Sequence, residues 1–217
     1  MTTALIRRYE QLRCGYFRWR YQASFVSKIS LSLAMASLTG LAAQMRFPLP
    51  FTPVPITGQT MAVLLSGVVL GRRYGAISQL LYVGMGAAGI PWFAGWGGGI
   101  LHLAGPTGGY IVGFIIAAFF IGHFIDTYPK LRNFLPGLLL MLVANFLLIH
   151  GLGLFQLYLW LFLVKGTPAG IFKLLMMGTI PFIPGDIIKA VGAAALIKGI
   201  TPKVAYSKLS KNFSSKQ

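Results

Sequence analysis

A chain of 217 residues, 56% apolar and only 10% charged, departs from soluble domains, in which about a quarter of residues are charged, so water is not its main solvent. Its 19 Lys and Arg against 3 acidic residues give a net charge of +16, a balance that first suggests a nucleic-acid binder. The cations gather at the two ends and in the breaks between apolar runs, which excludes the basic face of a nucleic-acid groove and points instead to anionic lipids as the partner.

The chain opens on a basic stretch, 1–22, carrying Arg7, Arg8, Arg13, Arg18 and Arg20. The apolar run that begins at Ala23 lasts roughly 20 residues and has no convincing cleavage site, so it reads as a retained first helix rather than a signal peptide. Apolar segments then occupy 23–46, 55–71, 74–90, 107–125, 134–160 and 184–199. This pattern predicts an all-α integral membrane protein with six transmembrane helices in one membrane domain, 23–200, followed by a basic tail, 201–217. The second and third segments are short for a crossing and borrow flanking residues. The stretch 155–181 is broken by Lys165, Gly166, Pro168 and Lys173 and predicts an interfacial or partly buried helix.

With both termini cytoplasmic, 15 of the 19 cations fall on the inner side, and the outer side holds only Arg46, Lys165 and Lys173. The remaining cation, Lys189, lies inside the last helix. In the first helix Ser32, Ala36 and Gly40 recur every four residues, a spacing that lets another helix approach closely, from this chain or from a partner.

Ionisable groups at membrane depth are costly and mark function by default. Pro184, Gly185 and Asp186 open the last helix, with Pro184 suited to its first turn and Asp186 near the positive end of its dipole. Asp186 and Lys189 are three residues apart and share a helix face. They form either a ligand-binding pair or an ion pair that fixes packing, with Lys189 alternatively reaching the interface. Two outer loops face them. In Phe47–Thr60 spaced prolines stiffen an extended lid and Thr57, Gln59 and Thr60 supply hydrogen-bonding groups. In Gly89–Tyr110 glycines allow close backbone approach, while Trp92, Phe93, Trp96 and Tyr110 offer apolar walls or interface anchors. His102 is either a partner for a ligand carboxylate or an exposed loop residue, His123 and His150 read as packing residues, and Asn145 and Gln79 as interhelical glue.

No phosphate loop of the form Gly-x-x-x-x-Gly-Lys-Ser/Thr is present, so energy for any transport comes from elsewhere. The single cysteine, Cys14, excludes a disulfide framework, and no nucleophile elbow or paired carboxylates suggest an enzyme.

Three motifs carry a family resemblance: Pro48–Thr60, Gly105–Tyr110 and Pro184–Lys189. Together, in order, over about residues 30–200, they resemble the BioY family, the biotin-binding S components of energy-coupling-factor transporters. The resemblance implies the six-helix S-component fold, biotin as transported ligand, no cofactor and a prokaryotic cell membrane. It also implies a transmembrane T subunit and two cytoplasmic ATPases as partners, though some members act alone, and it gives Ser32, Ala36 and Gly40 a contact with the T subunit. For the ligand it implies Asp186 as acceptor for the ureido N–H groups and Lys189 as the cation that holds Asp186 ionised or donates to the ligand. Gln59, Trp96, Thr107 and Tyr110 complete the enclosure, with His102 near the valerate carboxylate. The alternatives are another small vitamin or a biotin precursor as ligand, or a membrane assembly subunit with no ligand.

Overall fold

The computed structural model describes residues 2–202. Helix α1 (Thr2–Gln22) is followed at once by α2 (Phe25–Gln44), whose start is fixed by Ser24: its Oγ accepts from the Ser27 N–H at 3.2 Å. After α2 the chain forms a short hairpin, β1 (Arg46–Phe47) against β2 (Ile56–Thr57), antiparallel with Arg46 opposite Thr57. The proline-rich segment between the strands thus becomes a flap, and Thr52 Oγ1 ties it down by donating to Met177 O at 2.6 Å.

Helix α3 (Gln59–Ala87) breaks at Gly71, where φ 76° and ψ −176° turn the chain back on itself. The two halves pack closely: a Cβ at Gly75 would meet Ser66 O at 2.9 Å. The segments read as 55–71 and 74–90 are therefore separate helical arms joined by one residue, each shorter than the roughly 20 residues of a straight crossing. A short α4 (Ile100–Leu103) leads to α5 (Gly108–Thr127), the most buried of the long apolar helices and the centre of the bundle. At Gly67 a Cβ would lie 2.6 Å from Ala118 O, so α5 and the first arm of α3 approach to backbone distance.

A 3-10 turn (Pro129–Arg132) precedes α6 (Phe134–Val143), which runs through a π-helical turn, Ala144–Ile149, into α7 (His150–Leu163). The stretch 155–181 resolves into the end of α7, a turn, the short helix α8 (Ile171–Gly178) and a 3-10 turn (Ile180–Phe182) that feeds α9 (Ile183–Ile200). Phe25–Gln44, Gly108–Thr127, Phe134–Leu163 and Ile171–Ile197 are the 4 helical stretches long and apolar enough to cross a membrane among the described residues. Leu33, Leu38, Leu41, Phe155 and Phe162 are exposed on their outer faces, as lipid contact requires.

Helix α1 lies against one end of this bundle. Tyr16 Oη donates to Val69 O at 3.0 Å and Arg20 Nη1 to Val68 O at 3.3 Å, which satisfies carbonyls left open where the first arm of α3 ends. Arg20 also pairs with Asp126 at the end of α5. Helix α1 is thus docked on the rest of the bundle, while residue 1 of the stretch 1–22 and, from residue 203, the tail assigned to 201–217 lie outside the described residues.

The small-residue face of α2 lies inside the chain. Ser32 and Ala36 are wholly buried within the chain, Ser32 Oγ donates to Tyr74 O at 3.2 Å, and a Cβ at Gly40 would meet Trp92 Cβ at 3.1 Å. Ser32, Ala36 and Gly40 therefore pack inside the chain, against α3 and Trp92.

Candidate functional site

The first turn of α9 places Asp186 in the interior, 3% exposed, with Pro184 starting the helix. A buried carboxylate survives only if its oxygens are paired, and four groups from three other parts of the fold and from α9 itself converge on it. Lys189 Nζ donates to Oδ1 at 2.8 Å, and Thr60 Oγ1, on the first turn of α3, lies 3.4 Å from the same oxygen. Asn145 Nδ2 donates to Oδ2 at 3.0 Å, and His150 Nε2 lies 2.8 Å from it. Lys189 Nζ also donates to Thr60 Oγ1 at 3.0 Å, which ties α9 to α3.

His150 is held from its far side as well. Its Nδ1 is 3.0 Å from Gly178 O and 3.3 Å from Thr179 Oγ1, at the end of α8. Tyr110 packs edge-on against the His150 ring, with centroids 5.5 Å apart, and its hydroxyl donates to Gly178 O at 2.7 Å. Gly153 makes this possible, because a Cβ there would run into the Tyr110 ring. Asn145 and His150 read from the sequence as glue and packing; both touch Asp186. They stand five residues apart, which in a regular α-helix sets them about 140° from one another. The π-turn between them brings both to one face, a local geometry often found at functional positions.

A cavity of about 60 Å³ lies beside Asp186. Gln59, His102, Thr107, Tyr110, Asp186 and Lys189, all expected at the site, line it together with Thr57, Thr60 and His150. Val54 and Pro55 of the flap close it, and Ile111, Phe114, Ile149 and Phe182 form an apolar wall. Gln59 is fixed by donating to Tyr82 Oη at 2.7 Å and accepting from Thr57 Oγ1 at 2.9 Å. Burial lowers the pKa of His102 from its ordinary value, so near neutral pH the ring offers hydrogen bonds rather than charge.

Trp96 is the exception. Its backbone sits in the left-handed region at φ 60°, after Gly95 at φ 76°, and this turn leaves the side chain 68% exposed and off the cavity lining. Ala94 of the same loop reaches the cavity instead. Two glutamines that drew no attention in the sequence hold this loop in place. Gln44 Nε2 donates to Trp92 O at 3.2 Å and Phe93 O at 3.1 Å, and Gln156 Nε2 donates to Leu103 O at 2.5 Å and Gly105 O at 2.9 Å. Only their long side chains on otherwise apolar helices marked them.

The arrangement offers a fixed anion next to a cation, a ring of neutral donors and acceptors, and an apolar wall, the equipment for a small ligand with a polar head and an apolar body. Among the described residues no three His, Cys, Asp or Glu side chains gather as a metal-ligand set. Mostly helical architecture, long apolar spans and a charged chamber near one rim define a membrane protein that binds a small molecule. The chain belongs to the BioY family, whose model matches residues 15–206 and so takes in the last turns of α1.

Among its relatives, a "probable biotin transporter BioY" of Methanothermobacter thermautotrophicus is 55% identical over 65% of this chain and 90% of its own length. The "biotin transporter BioY" of Rhizobium etli is 40% identical over 70% of this chain and 80% of its own. A crystal structure of the S-component for biotin from an ECF-type ABC transporter superposes with a TM-score of 0.70 at 27% identity, covering 80% of this chain and 89% of that one.

Proposed function

We propose that this chain is the S component of a biotin transporter, capturing biotin in the chamber around Asp186. The observation that carries the reading is the buried Asp186, held by Lys189, Thr60, Asn145 and His150 at the edge of a cavity with apolar walls. Biotin presents ureido N–H donors, a thiophane ring and a carboxylate, and these match Asp186, the wall of Ile111, Phe114 and Phe182, and the neutral donors Thr107, Gln59 and His102 respectively. Lys189 keeps Asp186 ionised or donates to the ligand.

In this reading both arms of α3 cross the membrane, which makes six crossings with both termini cytoplasmic and the flap outside. The membrane is the cell membrane of a prokaryote. With no phosphate loop in the sequence, uptake draws on a T subunit and two ATPases, and the chain itself transforms nothing. Other vitamins or biotin precursors with a different polar head would meet the wrong donor pattern, an unpaired buried group costing about 1–3 kcal/mol.

The test is equilibrium binding of labelled biotin to the purified, detergent-solubilised chain beside Asp186→Asn and Lys189→Ala. Tight binding by the wild type, lost in both variants while their elution profiles stay monodisperse, is expected. A well-folded wild type that does not bind biotin would sink the assignment.

A further inference from the structure

A second cavity, of about 590 Å³, opens among the end of α1, the start of α2, the bend of α3 and the end of α5. Helix α5 separates it from the Asp186 chamber, and its 20 residues at 1.5 Å each span about 30 Å, the thickness of a bilayer's hydrocarbon. The two cavities therefore lie at opposite membrane boundaries.

Arg20, Lys28, Arg72 and Arg73 wall this cavity against a single carboxylate, Asp126. Arg20 and Asp126 pair with each other, Arg20 also caps the carbonyls of Val68 and Val69, and the second Asp126 oxygen accepts the Arg72 N–H at 3.3 Å. That leaves Lys28, Arg72 and Arg73 as three uncompensated charges. Lys28 Nζ donates to Tyr21 O at 2.9 Å and lies 5.6 Å from the Tyr74 ring centre. Among the described residues the ion pairs are Arg20–Asp126, His150–Asp186 and Lys189–Asp186, so neither Arg72 nor Arg73 has a carboxylate partner. A bias of cations toward one membrane side accounts for their sign, but not for their gathering around one cavity.

Guanidinium forks match phosphate oxygens two at a time. The volume far exceeds the roughly 30 Å³ share of one water, so a phosphate fits with its substituent. Leu70 supplies an apolar wall, and Tyr21 and Tyr74 are the side chains favoured at headgroup depth. We propose that this cavity binds a phosphate-bearing anion through Arg72, Arg73 and Lys28, its source being either the headgroup of an anionic phospholipid or a soluble phosphate ester. The inference rests on α5 crossing the membrane and is independent of the biotin reading.

Native mass spectrometry of the purified full chain, incubated with phosphatidylglycerol, phosphatidylcholine or glycerol phosphate, tests it. Wild type is compared with the double variant Arg72→Gln/Arg73→Gln and with Lys165→Gln, which removes an exposed charge outside the cavity. Preferential retention of phosphatidylglycerol, reduced about tenfold or more in the double variant and unchanged in Lys165→Gln, supports the site and places the phosphate on a lipid. Binding of glycerol phosphate that disappears in the double variant supports it with a soluble source. Equal retention of phosphatidylglycerol and phosphatidylcholine without glycerol phosphate binding, or equal binding by wild type and double variant, overturns it. Melting temperatures accompany each arm, and the single variant Arg73→Gln replaces the double one if that fails to fold.

Discussion

Asp186 has four donors or ring nitrogens around two oxygens, and its orientation in the chamber depends on all of them. Removing one by His150→Leu takes away a contact to a charged group worth about 1.5–3 kcal/mol, and biotin affinity is expected to fall roughly 10- to 100-fold in isothermal titration. Trp96→Ala is expected to change it less than about threefold, the scale of contacts outside a binding centre, because the ring is 68% exposed. His102 gives a pH signature. With its folded-state pKa lowered by burial, the folded chain holds that proton less tightly than the unfolded chain. Its stabilising share is whole above the unfolded value of about 6.5 and declines as pH falls from there through the folded value. The drop in melting temperature between about pH 8 and about pH 5.5 is expected to shrink in His102→Asn. Asp186 and Lys189 were legible in the sequence because a three-residue spacing shares a helix face without further knowledge. Asn145 and His150 were not, since their meeting depends on a π-turn that residue types do not announce. The outward position of Trp96 was not legible, because its direction is set by two left-handed backbone positions rather than by its aromatic character.

The bend in α3 depends on a single residue. At φ 76° and ψ −176° Gly71 occupies a region open essentially to glycine, costing other residues about 1–3 kcal/mol. A Cβ there would also stand 2.6 Å from Asp126 Oδ2 and 3.1 Å from Arg20 Nη1, the pair that anchors α1 to α5. Gly71→Ala is therefore expected to lower the melting temperature, by roughly 2–4 °C for each kcal/mol lost, in a thermal unfolding scan. A variant that melts with the wild type would show that the arms of α3 join in another way. The apolar pattern marked both arms, and the Gly71-Arg72-Arg73 break between them, but it gave no sign that the arms pack back to back or that α1 caps the first. Spacing also left the small-residue face of α2 open to two uses, and the internal one shows only in the position of Trp92 and α3.

The polarity of the whole molecule follows from where its charges and its chamber lie. Trp96 and the flap sit by the Asp186 chamber, while α1 docks by the end of α5, about 30 Å away along that helix. With 15 of the 19 cations assigned to the α1 side in the six-crossing arrangement, the proposed orientation makes that side cytoplasmic. A membrane-impermeant maleimide applied to intact cells is expected to label a Trp96→Cys variant in a Cys14→Ser background, and to leave Cys14 of the native chain unlabelled until the cells are broken. The opposite pattern would invert the proposed orientation. Charge asymmetry is open to a sequence reading because it acts over the whole chain, whereas the chamber's inner wall depends on side chains that meet across α5, α7 and α9.

The π-turn at Ala144–Ile149 gives the chain a place where its length can vary by one residue. Such a turn amounts to one surplus residue wound into an α-helix. Deleting any one residue between Asn145 and His150 would restore the ordinary winding and leave the two side chains four residues apart, about 40° from one another and still on one face. A single deletion there removes the surplus residue without changing the phase downstream, whereas a deletion in the regular winding of α6 or α7 would rotate everything beyond it by about 100° relative to what precedes it. Within the family, single-residue gaps should therefore be tolerated better here than in the regular turns on either side, in the middle of an apolar span that composition alone would present as uniform.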